Sequence, residues 1–369
     1  MTWARDNDIA VDIPASLIPT PAHLTPPTMS RRTREPKLDA LLPPILSLIE
    51  QDPPNAYSAH QKALTTTARL AKSGHGAMAV EILSAAAREL LKRGEAASGS
   101  ELGVRMVEIM GETGVEVSDQ SRATVTQLLA LTPPAGPWRK KLADAAVKWS
   151  ARACPAGDPS LNQYLGELNY KDRLFEPAEQ YLLNAGKRDS GTLLADMLFE
   201  WGGKGAEDPG AYAARGVLPF LAMSPPNILA ATSFLQRYLS LLSSPSSPQK
   251  DIFILTAQGV QLTTSPTLNF LQLAVLTVQR APAPGASAVQ ARGMDGGVAR
   301  DWQQLVGRYR RIAGNDGVLA QKEVLEVLDA ISTGVFLIPP PRGGNDMLQS
   351  LMGSLFGGGG GGMGAIGAR

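Results

Sequence analysis

Residues 79–92 read AVEILSAAARELLK, and the spacing within this stretch decides the fold. Ala79, Ile82, Leu83, Ala86 and Leu90 recur at the three- and four-residue intervals that bring side chains to one side of a helix. Glu81, Ser84, Arg88 and Lys92 fall on the other side, so the segment is an amphipathic helix with one face to bury. The next window repeats the arrangement, with Leu102, Met106, Ile109 and Met110 inward and Glu101, Arg105, Glu108 and Glu112 outward. Glu101 stands one turn ahead of Arg105, a spacing that predicts an ion pair along the helix. Two such neighbours bury their stripes against each other.

Working outward, the same stripe returns at Leu142, Ala145, Ala146 and Trp149, then at Leu161, Tyr164, Leu165 and Leu168, then at Leu194, Met197, Leu198 and Trp201. Gly74, Gly94, Gly114 and Gly186 read as helix stops, and Asp158-Pro159 and Ser224-Pro225 as a cap followed by a first turn. Around Leu165-Gly166, Ala178 and Ala185, small and large residues are spaced as in tetratricopeptide repeats, where small side chains let paired helices approach closely. Many similar helices with no dominant core segment predict an all-α fold: a solenoid of stacked antiparallel helix pairs rather than a globular bundle.

One segment breaks the period. Ile252-Phe253-Ile254-Leu255 is a short apolar, β-branched and aromatic run, followed by Gln258-Gly259 and the alternation Val260, Gln261, Leu262, Thr263. Residues 251–264 therefore predict a β-hairpin inserted in the C-terminal half. A lone hairpin is marginal in water, so something covers it. Consecutive apolar positions in the first strand imply burial on both faces. Either the chain's own helices cover one face and a second protein the other, or the hairpin is tucked wholly into a bend of the solenoid.

The flanks differ from the middle. Residues 1–35 are rich in Pro, Thr and Ser and close on Arg31-Arg32-Thr33-Arg34, which predicts a disordered arm. Residues 343–369 contain six consecutive glycines, Gly357 to Gly362, and predict a flexible tail. Between them lie an N-terminal helical section, 36–155, and a C-terminal one, 156–342, which carries the hairpin. The Pro-, Ala- and Gly-rich stretch from Ala281 to about Gly297 reads as a loop inserted between helices. Met347, Leu348, Leu351, Met352, Leu355 and Phe356 form either a docking helix or a segment folded back on the last groove.

Composition narrows the function. Lys plus Arg number 35 against 34 Asp plus Glu, and only 5% of residues are aromatic, so nothing favours nucleic acid as a partner. Cys154 is the single cysteine, which rules out an internal disulfide and fits a reducing compartment. The N-terminal residues lack the apolar run of a secretory signal, and no stretch approaches membrane-spanning length; the protein is expected in the cytosol, without membrane insertion. Gly202-Gly203-Lys204 lacks the upstream glycine and following hydroxyl of a phosphate loop. His23, His60 and His75 have no metal-ligand spacing, no Gly-x-Ser-x-Gly elbow occurs, and Glu323 with Glu326 reads as a solvated helix face. No enzyme signature, cofactor motif or metal site is found. On its own, His60 lies near a helix start and reads as a surface cap rather than a recognition residue.

At Tyr57-Ser58-Ala59-His60-Gln61, with Arg69, the chain resembles the Golgi-to-ER-traffic adaptor family, the subunit linking a tail-anchored-protein targeting ATPase to a ubiquitin-like partner. The resemblance continues in order through Glu81 to Gly94, Ser98-Gly99, Lys148-Trp149-Ser150, Gly157 to Leu161, Ala178-Glu179-x-Tyr181, Asn269 to Leu273 and Met347 to Gly353. It is collinear from roughly residue 37 to 357. It implies a solenoid interrupted by a hairpin, in agreement with the periodicity. It also implies that Tyr57, His60, Gln61 and Arg69 meet a homodimeric ATPase, and that the hairpin and the helix after it meet a ubiquitin-like co-adaptor. Since interface energy concentrates in a few buried apolar residues, Ile252, Phe253, Ile254 and Leu255, with Val260 and Leu262, are expected to form the anchor there. The sequence departs from the family pattern at Leu64, where relatives carry a basic residue, and at Ser58, where they carry an acidic one, so the ATPase contact is expected to be differently charged. Two other readings of the solenoid stay open: a scaffold subunit of another assembly, and a helical subunit of an enzyme whose catalytic chain is separate.

Overall fold

A computed structural model describes residues 35–203, 208–245, 247, 250–257, 259–282 and 288–339. The arm through residue 34 and the Gly-rich tail from residue 340, with the Met347–Phe356 segment, lie outside the described residues. The described residues from Leu38 onward belong to one compact unit. It begins with α1 (Leu38–Leu41) and α2 (Pro43–Ile49), followed by α3 (Ala56–Lys72), α4 (Gly76–Lys92), α5 (Ala96–Glu112), α6 (Asp119–Leu131), α7 (Trp138–Ser150) and α8 (Pro159–Lys171). The second half carries α9 (Phe175–Ala185), α10 (Arg188–Gly202), α11 (Pro209–Ala222) and α12 (Ile228–Leu242). The hairpin β1 (Phe253–Ala257) and β2 (Val260–Thr263) comes next, then α13 (Pro266–Gln279), α14 (Ala288–Ala313) and α15 (Lys322–Gly334).

Each helix touches its successor, and most touch the helix after that as well. α4 lies against both α5 and α6, α5 against α7, α6 against α8, α8 against α9 and α10, and α10 against α12. That pattern is the helical solenoid the period predicts. The inward residues are those of the sequence stripes: Ala79, Ile82, Leu83, Ala86 and Leu90 are fully buried, as are Leu102, Met106 and Ile109. One buried cluster runs from Ile45 to Leu165 and a second from Ala178 to Phe336. They meet at the α8–α9 pair, where Tyr181 of α9 packs on the first cluster and Tyr170 of α8 on the second.

The turns follow from local chemistry. Gly74, Gly94, Gly114 and Gly186 all have positive φ, the conformation in which a Cβ is strained. Asp158 caps α8 by accepting from the Leu161 N–H at 2.8 Å, with Pro159 in the first turn. Gly166 permits the close α8–α9 crossing, since a Cβ there would lie 2.6 Å from Leu182 Cγ.

Several expectations are corrected. Arg105 reaches forward to Glu108 and Glu112, each at 2.9 Å, not back to Glu101, whose carboxylate faces α3 instead. Ser224-Pro225 lies in the loop before α12, and the cap is Asn227, whose side chain accepts from the Ala230 N–H at 3.1 Å. The stretch 281–297 is not wholly a loop, because α14 already begins at Ala288. Glycine weakens a helix interior by only about 1 kcal/mol, so the glycines of this segment are tolerated in a helix whose later turns, at Val298 and Trp302, are anchored in the core. Finally, of the two readings of the hairpin, the one that tucks it wholly into a bend is set aside, since Ile254, Leu255 and Leu262 are exposed.

Candidate functional site

The hairpin is fastened to α13 by side-chain amides. Asn269 Oδ1 accepts from the Thr263 N–H at 2.8 Å while its Nδ2 donates to the Thr263 carbonyl at 2.7 Å. Gln272 repeats this one turn later, accepting from the Gln261 N–H and donating to the Gln261 carbonyl, both at 2.8 Å. The two amides act as a surrogate strand for the outer edge of β2 and satisfy backbone groups that α13 would otherwise desolvate. Ser265 caps α13 through the Leu268 N–H, and its hydroxyl donates to Asp208 Oδ1 at 2.8 Å, tying the hairpin's exit to the start of α11.

Strand pairing sets what the hairpin presents. Leu255 opposes Leu262, Thr256 opposes Gln261 and Ala257 opposes Val260, closed by a turn in which Gly259 has φ +80°. The register shifts between Phe253 and Leu255, so Ile254 leaves the strand alternation. Ile252 and Phe253 consequently pack on the C-terminal core and Val260 is half-buried, whereas Ile254, Leu255 and Leu262 are 58%, 51% and 37% exposed. Leu276, one turn beyond Gln272 on α13, is a further exposed apolar side chain. Three large aliphatic side chains are thus held outward on a two-stranded support, forming an exposed apolar patch.

The second candidate surface lies on α3. Asn55 caps it by accepting from the Ser58 N–H at 3.2 Å. Tyr57, Gln61 and Arg69 belong to a row four residues apart and are all exposed, Tyr57 at 74%. Lys62, Arg69 and Lys72 are the helix's charged residues besides His60, and it carries no carboxylate. His60 is not on that row and is not a surface cap. It is 7% exposed, with Nε2 3.3 Å from Glu101 Oε2 of α5 but without hydrogen-bond geometry. The structure thus unites Tyr57, Gln61 and Arg69 on one face and places His60 at the α3–α5 seam beneath it. Leu64, half-buried, borders a shallow recess with Thr65, Ala68, Arg69 and Lys72.

Among the described residues, no three His, Cys, Asp or Glu side chains gather as metal ligands, and no helix is long and apolar enough to cross a membrane. Glu326 lies 3.8 Å from Lys322, one turn back on α15, in the manner of a solvated helix face. What sequence reading misses is the amide clamp, whose one signal is the pair Asn269 and Gln272 within the apolar run Leu268 to Leu276.

The family model described as Golgi to ER traffic protein 4 matches residues 73–356, well over half of the chain. Golgi to ER traffic protein 4 of Aspergillus fumigatus is 29% identical over 329 residues, covering 82% of this chain and 86% of its own length. The Bos taurus homolog is 25% identical over 309 residues, 81% of this chain and 83% of its own. A crystal structure of C. therm. Get4 superposes with a TM-score of 0.65 and 29% identity, over 90% of this chain and all of that one. A helical solenoid with one hairpin on its C-terminal side and a family match running from α3's C-terminal end through α15 together establish that the chain belongs to the Golgi to ER traffic protein 4 family.

Proposed function

We propose that this protein is a cytosolic adaptor in the targeting of tail-anchored membrane proteins, bridging a homodimeric targeting ATPase and a ubiquitin-like co-adaptor and acting by geometry rather than catalysis. The observation that carries this reading is the outward apolar trio Ile254, Leu255 and Leu262 on a hairpin clamped by Asn269 and Gln272. A rigid apolar anchor binds with little ordering cost, which suits a stable co-adaptor contact. On this reading the C-terminal section, 156–342, meets the ubiquitin-like protein. The N-terminal section, 36–155, meets the ATPase through the α3 row of Tyr57, Gln61 and Arg69. His60 then acts from below, by fixing α3 against α5 beside Glu101.

The Ile254→Asp variant tests the hairpin half. In a pull-down of the tagged chain from its own cytosol, wild type is expected to retain a ubiquitin-like protein and an ATPase, and the variant to lose only the former. A charge on an exposed position leaves the fold intact, which circular dichroism checks. Loss of neither or of both partners contradicts the assignment. The α3 contact, being basic and exposed, is expected to weaken with salt, while the hairpin contact does not.

A further inference from the structure

α14 presents to solvent a face separate from the hairpin and from the α3 row. Val298, Trp302, Leu305, Val306 and Tyr309 turn to the core, with Trp302 Nε1 donating to Ser332 Oγ at 2.8 Å. At 100° per residue, Arg300, Gln304, Gly307 and Arg311 lie diametrically opposite, flanked by Gln303 and Arg308. These six residues line a shallow notch of about 420 Å³ at Gly307, whose carbonyl accepts from Arg311 Nε at 3.2 Å.

Two observations point to a ligand. First, the glycine has no structural reason: it has ordinary helical backbone, and a Cβ built there meets nothing within 4 Å. Glycine in a helix interior costs about 1 kcal/mol relative to alanine, so this position forgoes stability and gains only room. Second, the arginines are unneutralised. Among the described residues, Arg300, Arg308 and Arg311 form no ion pair, Arg311 donating instead to the Gly307 carbonyl, and the neighbouring Asp301 turns to Arg280 at 3.9 Å. Every cation on this face is arginine, whose planar fork suits paired carboxylate oxygens better than a lysine ammonium does.

The glutamines select the kind of partner. In this same chain a helix-borne glutamine, Gln272, holds an extended backbone by accepting from its N–H and donating to its C=O. Gln303 and Gln304 sit between the arginines with the same capacity. A lipid headgroup offers no such backbone. The chain's own ends do not complement the charge. Residues 1–34 carry four arginines against three aspartates, and residues 340–369 carry two arginines against one aspartate. We propose that the α14 face centred on Gly307 docks an extended acidic peptide segment of another protein, its carboxylates on Arg300, Arg308 and Arg311 and its backbone on the glutamines. From Arg300 to Arg311 the face is about 16 Å long, which roughly five extended residues cover.

The test is fluorescence anisotropy of a fluorescein-labelled Glu-Ala repeat peptide, about ten residues long, titrated with the full chain. Saturable binding is expected that weakens with salt, falls about tenfold or more in the Arg308→Glu/Arg311→Glu double variant, and falls also in Gly307→Leu, which fills the notch. Circular dichroism confirms that both variants keep their helices. Absence of saturable binding, or equal binding by wild type and Gly307→Leu, overturns the proposal. So does capture of the chain by phosphatidylcholine vesicles containing phosphatidylserine, if it depends on Arg308 and Arg311 while the peptide fails to bind.

Discussion

Replacing Asn269 by alanine isolates what holds the hairpin in place. The side chain makes both a donated and an accepted hydrogen bond to the backbone of Thr263, at 2.7 and 2.8 Å, and accepts a third from the Thr263 hydroxyl at 3.1 Å. Thr263 and Asn269 are both buried, so water does not simply take the amide's place. An unsatisfied buried donor or acceptor costs about 1–3 kcal/mol. Two stranded backbone groups at the low end of that range give about 2 kcal/mol. The cost falls on the hairpin, because two strands without support are marginal. Opening that is easier by about 2 kcal/mol exchanges amide hydrogens roughly 30-fold faster. Hydrogen exchange followed by mass spectrometry on peptides covering β1 and β2 reads this directly. The account expects faster exchange at Gln261 and Thr263 in Asn269→Ala, with α3 to α8 unaffected. Unchanged exchange in the hairpin would show that apolar packing of Ile252 and Phe253, not the amide clamp, holds it.

Two further outcomes concern the solenoid. Gly191→Ala drives a Cβ to 2.5 Å from the Ala230 carbonyl oxygen, a backbone atom that cannot turn aside, and is expected to destabilise by about 1–3 kcal/mol in urea; an unchanged midpoint refutes close α10–α12 contact as the reason for the glycine. Burial raises the Asp158 pKa, but hydrogen bonds from Arg122 and the Leu161 N–H outweigh it and hold the carboxyl below its ordinary 3.8. A depressed carboxyl stabilises above its unfolded pKa and loses that contribution as pH falls through the folded value. The Tm deficit of Arg122→Ala is therefore expected near neutrality and to shrink as pH is taken below 3.8, and a deficit independent of pH contradicts the linkage.

How much of this the sequence carries depends on the range of the interaction. Helical stripes such as Ala79 to Leu90 are legible because burial imposes the period, and Gly74 or Gly259 because a positive φ imposes glycine. Contacts across the stack are not. Glu101 has Arg105 at the correct spacing along its own helix, yet its carboxylate lies 3.3 Å from His60 on α3, a neighbour only the fold supplies. The same holds for the hairpin. Ile252 to Leu255 reads as uniformly apolar, but the register shift at Ile254 divides it into residues that support and residues that face outward. The glycines before Val298 mimic a loop, because core anchoring at Trp302 acts from a distance along α14. The alanine and glycine spacing at Gly166 and Ala178, by contrast, directly encodes the close α8–α9 approach.

The central claim is that one chain holds two partners on separate surfaces. Light scattering coupled to size exclusion, on the purified chain mixed with the ATPase and the ubiquitin-like protein, measures this most directly. The account predicts a complex containing all three proteins, reduced to chain plus ATPase by Ile254→Asp and to chain plus ubiquitin-like protein by Arg69→Glu with Tyr57→Ala. Mutually exclusive binding, or loss of both partners with either variant, would contradict it.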